Sequence, residues 1–221
     1  TRYAIIGSGS MGMEHIRNIA LIDHAEVTAL CDSNRTSIDN SLKVLKKNVP
    51  TFKSHVNLME ADIADAYIIA TPNFTHIDIL RDIIKTNAHL LIEKPLCTTV
   101  EDCKEFKKKT INYPGVIWTA MEYRYMPPVA RFIEEVHKGT IGNLKMLSIR
   151  EHRFPFLVKV NDWNRFAKNS GGTLVEKCCH FFDLMRLITK SEPVRVFASG
   201  NQDNNHLNES YDGKIPDIID N

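Results

Sequence analysis

The stretch RYAIIGSGSMG, residues 2–12, decides the fold of the first half of the chain. RYAII is a short apolar run typical of a β-strand, and MEHIRNIALI, which follows the glycines, has the spacing of an amphipathic helix. Between them, Gly7, Gly9 and Gly12 have G-x-G-x-x-G spacing. In this context Gly7 permits a tight turn, Gly9 lets a pyrophosphate approach the backbone, and Gly12 lets the helix pack closely on the strand. The stretch therefore predicts a dinucleotide-binding strand–turn–helix unit.

The residues that flank this turn extend the predicted cofactor site. The pyrophosphate is expected at the helix N-terminus, where Ser10 and Met11 begin the first turn and the free N–H groups and helix dipole favour an anion. Asp32 ends the second predicted strand, EVTALCD, and its carboxylate can accept hydrogen bonds from the adenosine ribose. A carboxylate repels a 2′-phosphate, which favours NAD. Arg35 can bind such a phosphate, so NADP remains open.

Strands and helices alternate from the N-terminus to about residue 123, which predicts βαβ units and a parallel, doubly wound sheet covered on both faces. The pattern changes after a strand predicted at residues 115–124. Further helices are predicted at residues 128–139 and 173–189, and further strands at residues 143–153 and 193–200. We therefore expect a Rossmann domain over residues 1–123 and a second, α+β domain over residues 124–221.

The composition argues against several classes of function. With a formal net charge of +1, the chain has no strong electrostatic affinity for nucleic acid or an anionic membrane. No apolar run is long enough to span a bilayer, and no signal peptide precedes the first strand. The five cysteines are odd in number and lack the spacing of a disulfide framework. We therefore expect a cytoplasmic protein.

Polar residues directly follow three of the predicted strands. The segments are ATPNFTH at residues 70–76, EKP at 93–95 and EYRY at 122–125. In doubly wound sheets, ligands bind beyond the carboxyl ends of the strands. A strand-end salt bridge would explain any one of these segments, but three in one sheet indicate a ligand site.

The segment VEKCCHFFD, residues 175–183, has three interpretations, because Glu176, His180 and Asp183 share one face of a helix. A metal site is disfavoured, since Cys178, Cys179 and His180 are consecutive and point about 100° apart. An enzymatic face is supported by a histidine that titrates near neutrality and can accept a hydroxyl proton. A packed helix is supported by an apolar stripe at helical spacing, formed by Leu174, Cys178, Phe181, Phe182, Met185 and Ile188.

Taken in order, GSGSMGMEH, ATPNFTH, EKPL, EYRYMPP and GGTLVEKCCHFFD resemble the Gfo/Idh/MocA oxidoreductases over essentially the whole chain. The resemblance implies an N-terminal Rossmann domain and a C-terminal domain with a large, mostly antiparallel sheet. That sheet commonly forms the oligomer interface, so a homo-oligomer, dimer or tetramer, is expected. Family members are longer than this chain, so further residues are expected after Asn221.

The resemblance also implies roles for individual residues. Lys94, His180 and Glu176 match the catalytic positions, with Glu176 standing where the family usually has aspartate. The positions expected to hold the cofactor beyond the glycine turn are Thr71, Asn73, His76, Glu93 and Lys94. The positions expected to bind substrate are Lys94, Glu122, Arg124, Trp163, Glu176 and His180. The sequence departs from the family at Glu122, where asparagine is frequent, and at Cys178, where glycine is common.

The functional hypothesis is an NAD(P)-dependent dehydrogenase that acts on a CH–OH group of a cyclitol or sugar, with no metal. One alternative is a cofactor-binding sensor or scaffold that lacks chemistry. Another is an enzyme that acts on a non-sugar substrate such as a dihydrodiol, on an amino sugar or on a tetrapyrrole. The side chains expected to shape the pocket are His152, Arg153, Trp163 and Asn164.

Overall fold

The computed structural model describes residues 1–152 and 154–221. Contacts divide the chain into two compact units, Thr1–Ala120 and Met121–Asn221. None of the helices in the described ranges combines the length and the apolar character that crossing a bilayer requires.

The first unit is built on a parallel sheet whose strands are ordered β3-β2-β1-β4-β5-β6. The strands are β1 Arg2–Ile6, β2 Glu26–Cys31, β3 Thr51–Phe52, β4 Ala66–Ile69, β5 His89–Ile92 and β6 Ile117–Thr119. The helices between them are α1 Ser10–Ile19, α2 Arg35–Leu45, α3 His55–Glu60, α4 His76–Ile83 and α5 Val100–Lys109. This arrangement confirms the predicted doubly wound α/β fold.

The alternation of side chains along β1 explains why both faces of the sheet are covered. Ala4 and Ile6 pack into the apolar layer on one face, and Ile5 packs into the layer on the other. Side chains of consecutive strand residues point to opposite faces, so an uninterrupted apolar strand needs helices on both sides. Full burial of one isoleucine side chain stabilises the fold by roughly 1.5–3 kcal/mol.

The strand predicted at residues 115–124 is too long. β6 ends at Thr119, and the segment Glu122–Tyr125 forms a 3-10 helix. The hydrogen bond from Ala120 N–H to Ile92 O, at 2.8 Å, joins the sheet where β5 ends. A strand continues only while a partner offers backbone groups, so the chain leaves the sheet at this point.

The regular secondary structure in the described residues of the second unit is helical. Its helices are α6 Pro127–His137, α7 Ala167–Ser170, α8 Gly172–Glu176 and α9 Cys179–Thr189, with a 3-10 segment at Val160–Arg165. Val136 of α6 packs with Leu184 and Ile188 of α9 in a small apolar cluster. α6 begins with proline in its first turn, where the missing N–H has no intrahelical partner to lose.

The strands predicted at residues 143–153 and 193–200 are not formed in the part of the chain that the structure describes, where the second unit has a single isolated antiparallel bridge, between Tyr211 and Lys214. Arg153, the last residue of the first predicted strand, lies outside the described residues. Alternating apolar residues such as Val194 and Val196 indicate a strand, but a strand also needs a hydrogen-bonded neighbour. Val194 and Val196 are instead exposed.

Candidate functional site

The glycine turn between β1 and α1 is fixed by close backbone approaches. Gly7 has φ +97°, and a Cβ there would lie 2.5 Å from the carbonyl oxygen of Ala70. A Cβ on Gly12 would lie 2.1 Å from the carbonyl oxygen of Gly7, so the helix could not pack this closely on the turn. A Cβ on Gly9 would meet nothing within 4 Å. The turn therefore requires glycine at two positions and has open space at the third.

The surroundings of this open space fit the pyrophosphate of a dinucleotide. The N-cap residue of α1 is Gly9, which has no side chain to cap the helix, and Ser10 and Met11 are exposed. Ser8 is fully buried, and its hydroxyl has no hydrogen-bond partner among the described residues. A helix N-terminus with a glycine beside it and a buried hydroxyl nearby suits an anion approached through backbone groups.

Asp32 organises the next turn, at the end of β2. Its two carboxylate oxygens accept hydrogen bonds from Ser8 N–H at 2.7 Å and from Asn34 N–H at 2.8 Å. A carboxylate has about four lone-pair sites, so Asp32 can still accept from ribose hydroxyls. Arg35 is exposed at the start of α2 and forms an ion pair with Asp39 at 2.9 Å.

His76, expected beside the nicotinamide, is fully buried inside the protein. Its Nε2 lies 3.0 Å from the Thr71 carbonyl oxygen, and its Nδ1 lies 2.9 Å from the Pro95 carbonyl oxygen. Burial lowers the pKa of His76, against the smaller opposing effects of these carbonyl groups and of the Glu93 charge. The ring thus links the segments after β4 and β5 and does not present a face to a ligand.

The segment after β5 holds Glu93 and Lys94 in different surroundings. Glu93 is buried, and its Oε1 lies 2.7 Å from Nε2 of His15 on α1. Burial raises the pKa of Glu93, but the hydrogen bond from His15 and the charge of Lys94 outweigh it, so the net pKa is lowered. Lys94 is half-buried. Sequence reasoning missed His15, because it stands 78 positions from Glu93 and no local spacing connects them.

Two further expected cofactor residues, Thr71 and Asn73, occupy the turn after β4. The Thr71 hydroxyl accepts a hydrogen bond from the Thr75 hydroxyl at 2.7 Å, and Asn73 is buried. The strand-end segments of β4 and β5 are therefore held by buried polar groups, as a preformed ligand site requires.

In the second unit, the helix predicted at residues 173–189 is broken. α8 ends at Glu176 and α9 begins at Cys179. The Thr173 carbonyl accepts hydrogen bonds from both Lys177 N–H, at 2.9 Å, and Cys178 N–H, at 3.2 Å. The second of these bonds spans five residues instead of four, a local widening that interrupts regular α-helix.

The break also changes which side chains face inward. Glu176, His180, Leu184 and Ile188 are buried, with at most 6% of each residue exposed. Leu174 and Phe182, which the apolar stripe places in the core, are each 50% exposed. The predicted packing face of this helix is therefore wrong at Leu174 and Phe182 and right at Ile188, while Cys178 and Cys179 are partly buried.

His180 lies against the 3-10 segment Glu122–Tyr125. Its ring stacks on Tyr123 with centroids 4.0 Å apart and planes 4° from parallel. Its Nε2 lies 3.5 Å from Oε1 of Glu122. One turn further along α9, Asp183 accepts a hydrogen bond from Arg124 Nε at 2.5 Å. Glu122 and Arg124, both predicted to bind substrate, thus contact α9.

Several of the remaining predicted site residues make hydrogen bonds within the second unit. Glu176 accepts a hydrogen bond from Lys177 Nζ at 3.3 Å. The Trp163 carbonyl accepts from the Asn169 amide at 3.0 Å, and the buried Asn164 donates to the Leu157 carbonyl at 3.0 Å. His152 is exposed, and Arg153 is outside the described residues. No group of three or more histidine, cysteine or acidic side chains within the described ranges is placed to hold a metal ion.

Comparison with protein families gives two matches. Residues 1–119 match the Gfo/Idh/MocA model described as oxidoreductase family, NAD-binding Rossmann fold. Residues 133–219 match the model described as oxidoreductase family, C-terminal alpha/beta domain. The first unit therefore has an NAD-binding Rossmann fold.

Individual relatives agree with these matches. The rhizopine catabolism protein MocA of Rhizobium meliloti is 27% identical over 87% of this chain and 58% of the relative. The myo-inositol 2-dehydrogenase of Thermotoga maritima is 27% identical over 90% of the chain and 58% of the relative. A crystal structure of a probable dehydrogenase from the same organism has a TM-score of 0.73 and 26% identity, covering 87% of this chain and 56% of that structure. The chain thus spans a little over half the length of these relatives.

Proposed function

We propose that this chain, which belongs to the Gfo/Idh/MocA oxidoreductase family, acts as an NAD-dependent dehydrogenase on a CH–OH group of a polyhydroxylated substrate, a cyclitol or sugar. The observation that carries the proposal is the buried His180 with the Glu122 carboxylate 3.5 Å from its Nε2. A buried imidazole beside a carboxylate is suited to accept a proton near neutral pH. The likeness to a myo-inositol 2-dehydrogenase supports the substrate class.

The cofactor preference rests on Asp32. Its carboxylate is held by two backbone N–H groups at the end of β2, so it presents a fixed negative charge where an adenosine ribose is expected. A 2′-phosphate would be repelled there. Arg35 pairs with Asp39 on α2, which reduces its availability to such a phosphate. NAD is therefore the proposed cofactor, with Gly7, Gly9 and Gly12 forming the turn that receives its pyrophosphate.

Each proposed catalytic residue has a distinct task. NAD, when bound, supplies the acceptor or donor of the hydride. His180 accepts the proton of the substrate hydroxyl in oxidation and returns it in reduction. Lys94 stabilises negative charge on the substrate oxygen, and Glu176 binds a neighbouring hydroxyl. His76 and Glu93 keep the Lys94 segment in place through buried hydrogen bonds.

Two further parts of the proposal concern the whole protein. A cytoplasmic location rests on the cysteine content, and homo-oligomeric assembly rests on the family resemblance. We also propose that residues 1–123 hold the cofactor and supply Lys94 and Glu122 to the reaction, and that residues 124–221 serve the substrate.

The test is an assay of NADH formation by the purified protein with inositols, aldoses and sugar acids, and with NADP in parallel. Lys94→Met is expected to lower kcat/KM by at least about 100-fold, because the charge on the substrate oxygen loses its stabilising cation. Lys85→Met is the matched control, because Lys85 is exposed and pairs with Asp82. Tight NAD binding without turnover on any polyol would favour a sensor, and unchanged turnover in Lys94→Met would overturn the catalytic assignment.

A further inference from the structure

The residues around His180 indicate a function for Glu122 other than substrate binding. Glu122 Oε1 lies 3.5 Å from His180 Nε2, and the neighbouring residue, Tyr123, stacks flat on the same ring. His180 is 3% exposed, whereas the Glu122 side chain is 50% exposed. The 3-10 segment thus brings a carboxylate and an aromatic face to the imidazole together.

Charged groups approach this part of α9 from three elements. Glu122 and Arg124 come from the 3-10 segment, Asp183 from α9, and Glu176 from the end of α8. Asp183 is engaged by the guanidinium of Arg124 through two hydrogen bonds. Glu176 has the ammonium group of Lys177 3.3 Å from its Oε1. Each of those two carboxylates therefore has a cation beside it, and the Glu122 carboxylate lies next to the imidazole.

We propose that Glu122 is the positioning residue of His180, and that its carboxylate stabilises the imidazolium formed when His180 accepts a hydroxyl proton. The inference rests on the proposed function and adds a residue to it. The proton leaves the substrate oxygen and stays on the imidazole, while Glu122 remains ionised. Tyr123 holds the ring plane by stacking, so that Glu122 acts on a ring of fixed orientation.

The expected size of the effect follows from the separation. A single negative charge 3.5 Å from the imidazole, on a side chain that is half exposed, stabilises the imidazolium. This should move the titration midpoint of the imidazole upward by about one pH unit. Removing that charge without changing the shape of the side chain should therefore lower the pKa of His180 by about that amount. The change is measurable without any turnover.

The first experiment is an NMR titration of the histidine rings in the whole protein. His180→Gln identifies the His180 signal among the nine histidines. In Glu122→Gln, the midpoint of His180 is expected to fall by about one pH unit. The matched control is Glu192→Gln, because Glu192 is exposed on the same unit and pairs with Arg186. If His180 had the same midpoint in wild type and in Glu122→Gln, or did not titrate in either protein, the proposal would be overturned.

Two more variants separate positioning from a purely structural role. Glu122→Asp keeps the charge and is expected to restore part of the shift, whereas a structural role would predict that both variants behave alike. Glu176→Gln is expected to move the midpoint less than Glu122→Gln, and the reverse order would assign the role to Glu176. In active protein, the acidic limb of the kcat/KM profile should move down by the same amount as the midpoint. If the midpoint shifts as expected but the protein turns over no polyol, the pairing of Glu122 with His180 is supported and only the proposed reaction is rejected.

Discussion

The interior of the first unit is mostly apolar, whereas the second unit buries polar side chains as often as apolar ones. Among the described residues of the second unit, the buried apolar side chains are Val136, Leu184, Ile188, Pro216 and Ile218. The buried polar ones are Asn164, Arg165, Ser170, Glu176 and His180. In the first unit, buried polar residues such as Ser8 and Glu93 lie where strands end, and the apolar layers lie between them.

The difference matters because the two kinds of burial specify structure differently. Apolar burial is non-directional, so a layer of isoleucine and leucine tolerates rearrangement of its partners. A buried polar group needs a partner in a defined direction, and losing that partner costs about 1–3 kcal/mol. The second unit therefore depends on particular pairs, such as Arg165 with Glu209 at 2.8 Å and Arg124 with Asp183.

The largest effects are expected from core truncations. Leu80→Ala in α4 and Leu184→Ala in α9 should each lower the free energy of unfolding by about 2–5 kcal/mol, because both side chains are buried. Phe182→Ala should cost less than about 1 kcal/mol, although it removes more atoms, because Phe182 is half exposed. The chain has one tryptophan in each unit, Trp118 and Trp163, so single-tryptophan variants report urea unfolding of each unit separately.

The expected difference between Leu184→Ala and Phe182→Ala can be contradicted by experiment. If Phe182→Ala destabilised the second unit as much as Leu184→Ala, the apolar stripe indicated by the sequence would be the packing face after all. The assignment of Glu176 and His180 to the buried face of α8 and α9 would then be wrong.

An intermediate effect is expected at the glycine turn, which backbone contacts position. Gly12→Ala brings a Cβ to 2.1 Å from the Gly7 carbonyl oxygen, so the turn must move. It should lower the free energy of unfolding of the first unit by about 1–3 kcal/mol and weaken NAD binding by about 100-fold or more. Gly9→Ala is the matched control, because its Cβ meets nothing within 4 Å and its φ of −76° suits alanine.

The control is informative in its own right. Gly9→Ala should leave unfolding unchanged within about 0.5 kcal/mol, yet weaken NAD binding, since the added methyl group occupies the space proposed for the pyrophosphate. Calorimetric titration with NAD and thermal unfolding measure the two quantities separately. Gly12→Ala with wild-type NAD affinity would contradict the assignment of the turn.

The comparison also shows which features the sequence could predict. The parallel sheet followed from strand and helix periods, and the turn followed from three glycines within six residues, all of which are local signals. The pairing of His15 with Glu93 and that of Glu122 with His180 join residues far apart in sequence, so no spacing indicates them. At the break between α8 and α9, the Thr173 carbonyl accepts hydrogen bonds from two N–H groups. No residue pattern in the sequence predicts this arrangement.

The smallest expected effect is a pH dependence of stability that arises from His76. Each unit buries a histidine, His76 in the first unit and His180 in the second, and the two rings have different surroundings. His180 faces the carboxylate of Glu122, whereas both ring nitrogens of His76 face backbone carbonyls. Burial lowers the pKa of His76 in the folded protein below its ordinary value of about 6.5. As the pH falls below about 6.5, the unfolded chain binds this proton before the folded protein does. The stability that His76 contributes is therefore full above that pH and declines below it.

His76→Asn should remove this decline, because asparagine keeps hydrogen-bonding groups at the site and does not titrate. Between pH 7.5 and 5.5, the wild-type first unit should lose stability with a slope of up to about 1.4 kcal/mol per pH unit from this group, and the variant should show a flatter profile. His24→Asn is the matched control, because His24 is exposed and asparagine tolerates its φ of 61°. Urea unfolding followed through Trp118 measures the slope. Equal slopes in wild type and His76→Asn would show that His76 is protonated to the same extent in the folded and unfolded chain, and its two carbonyl partners would then have to be accepting from an imidazolium.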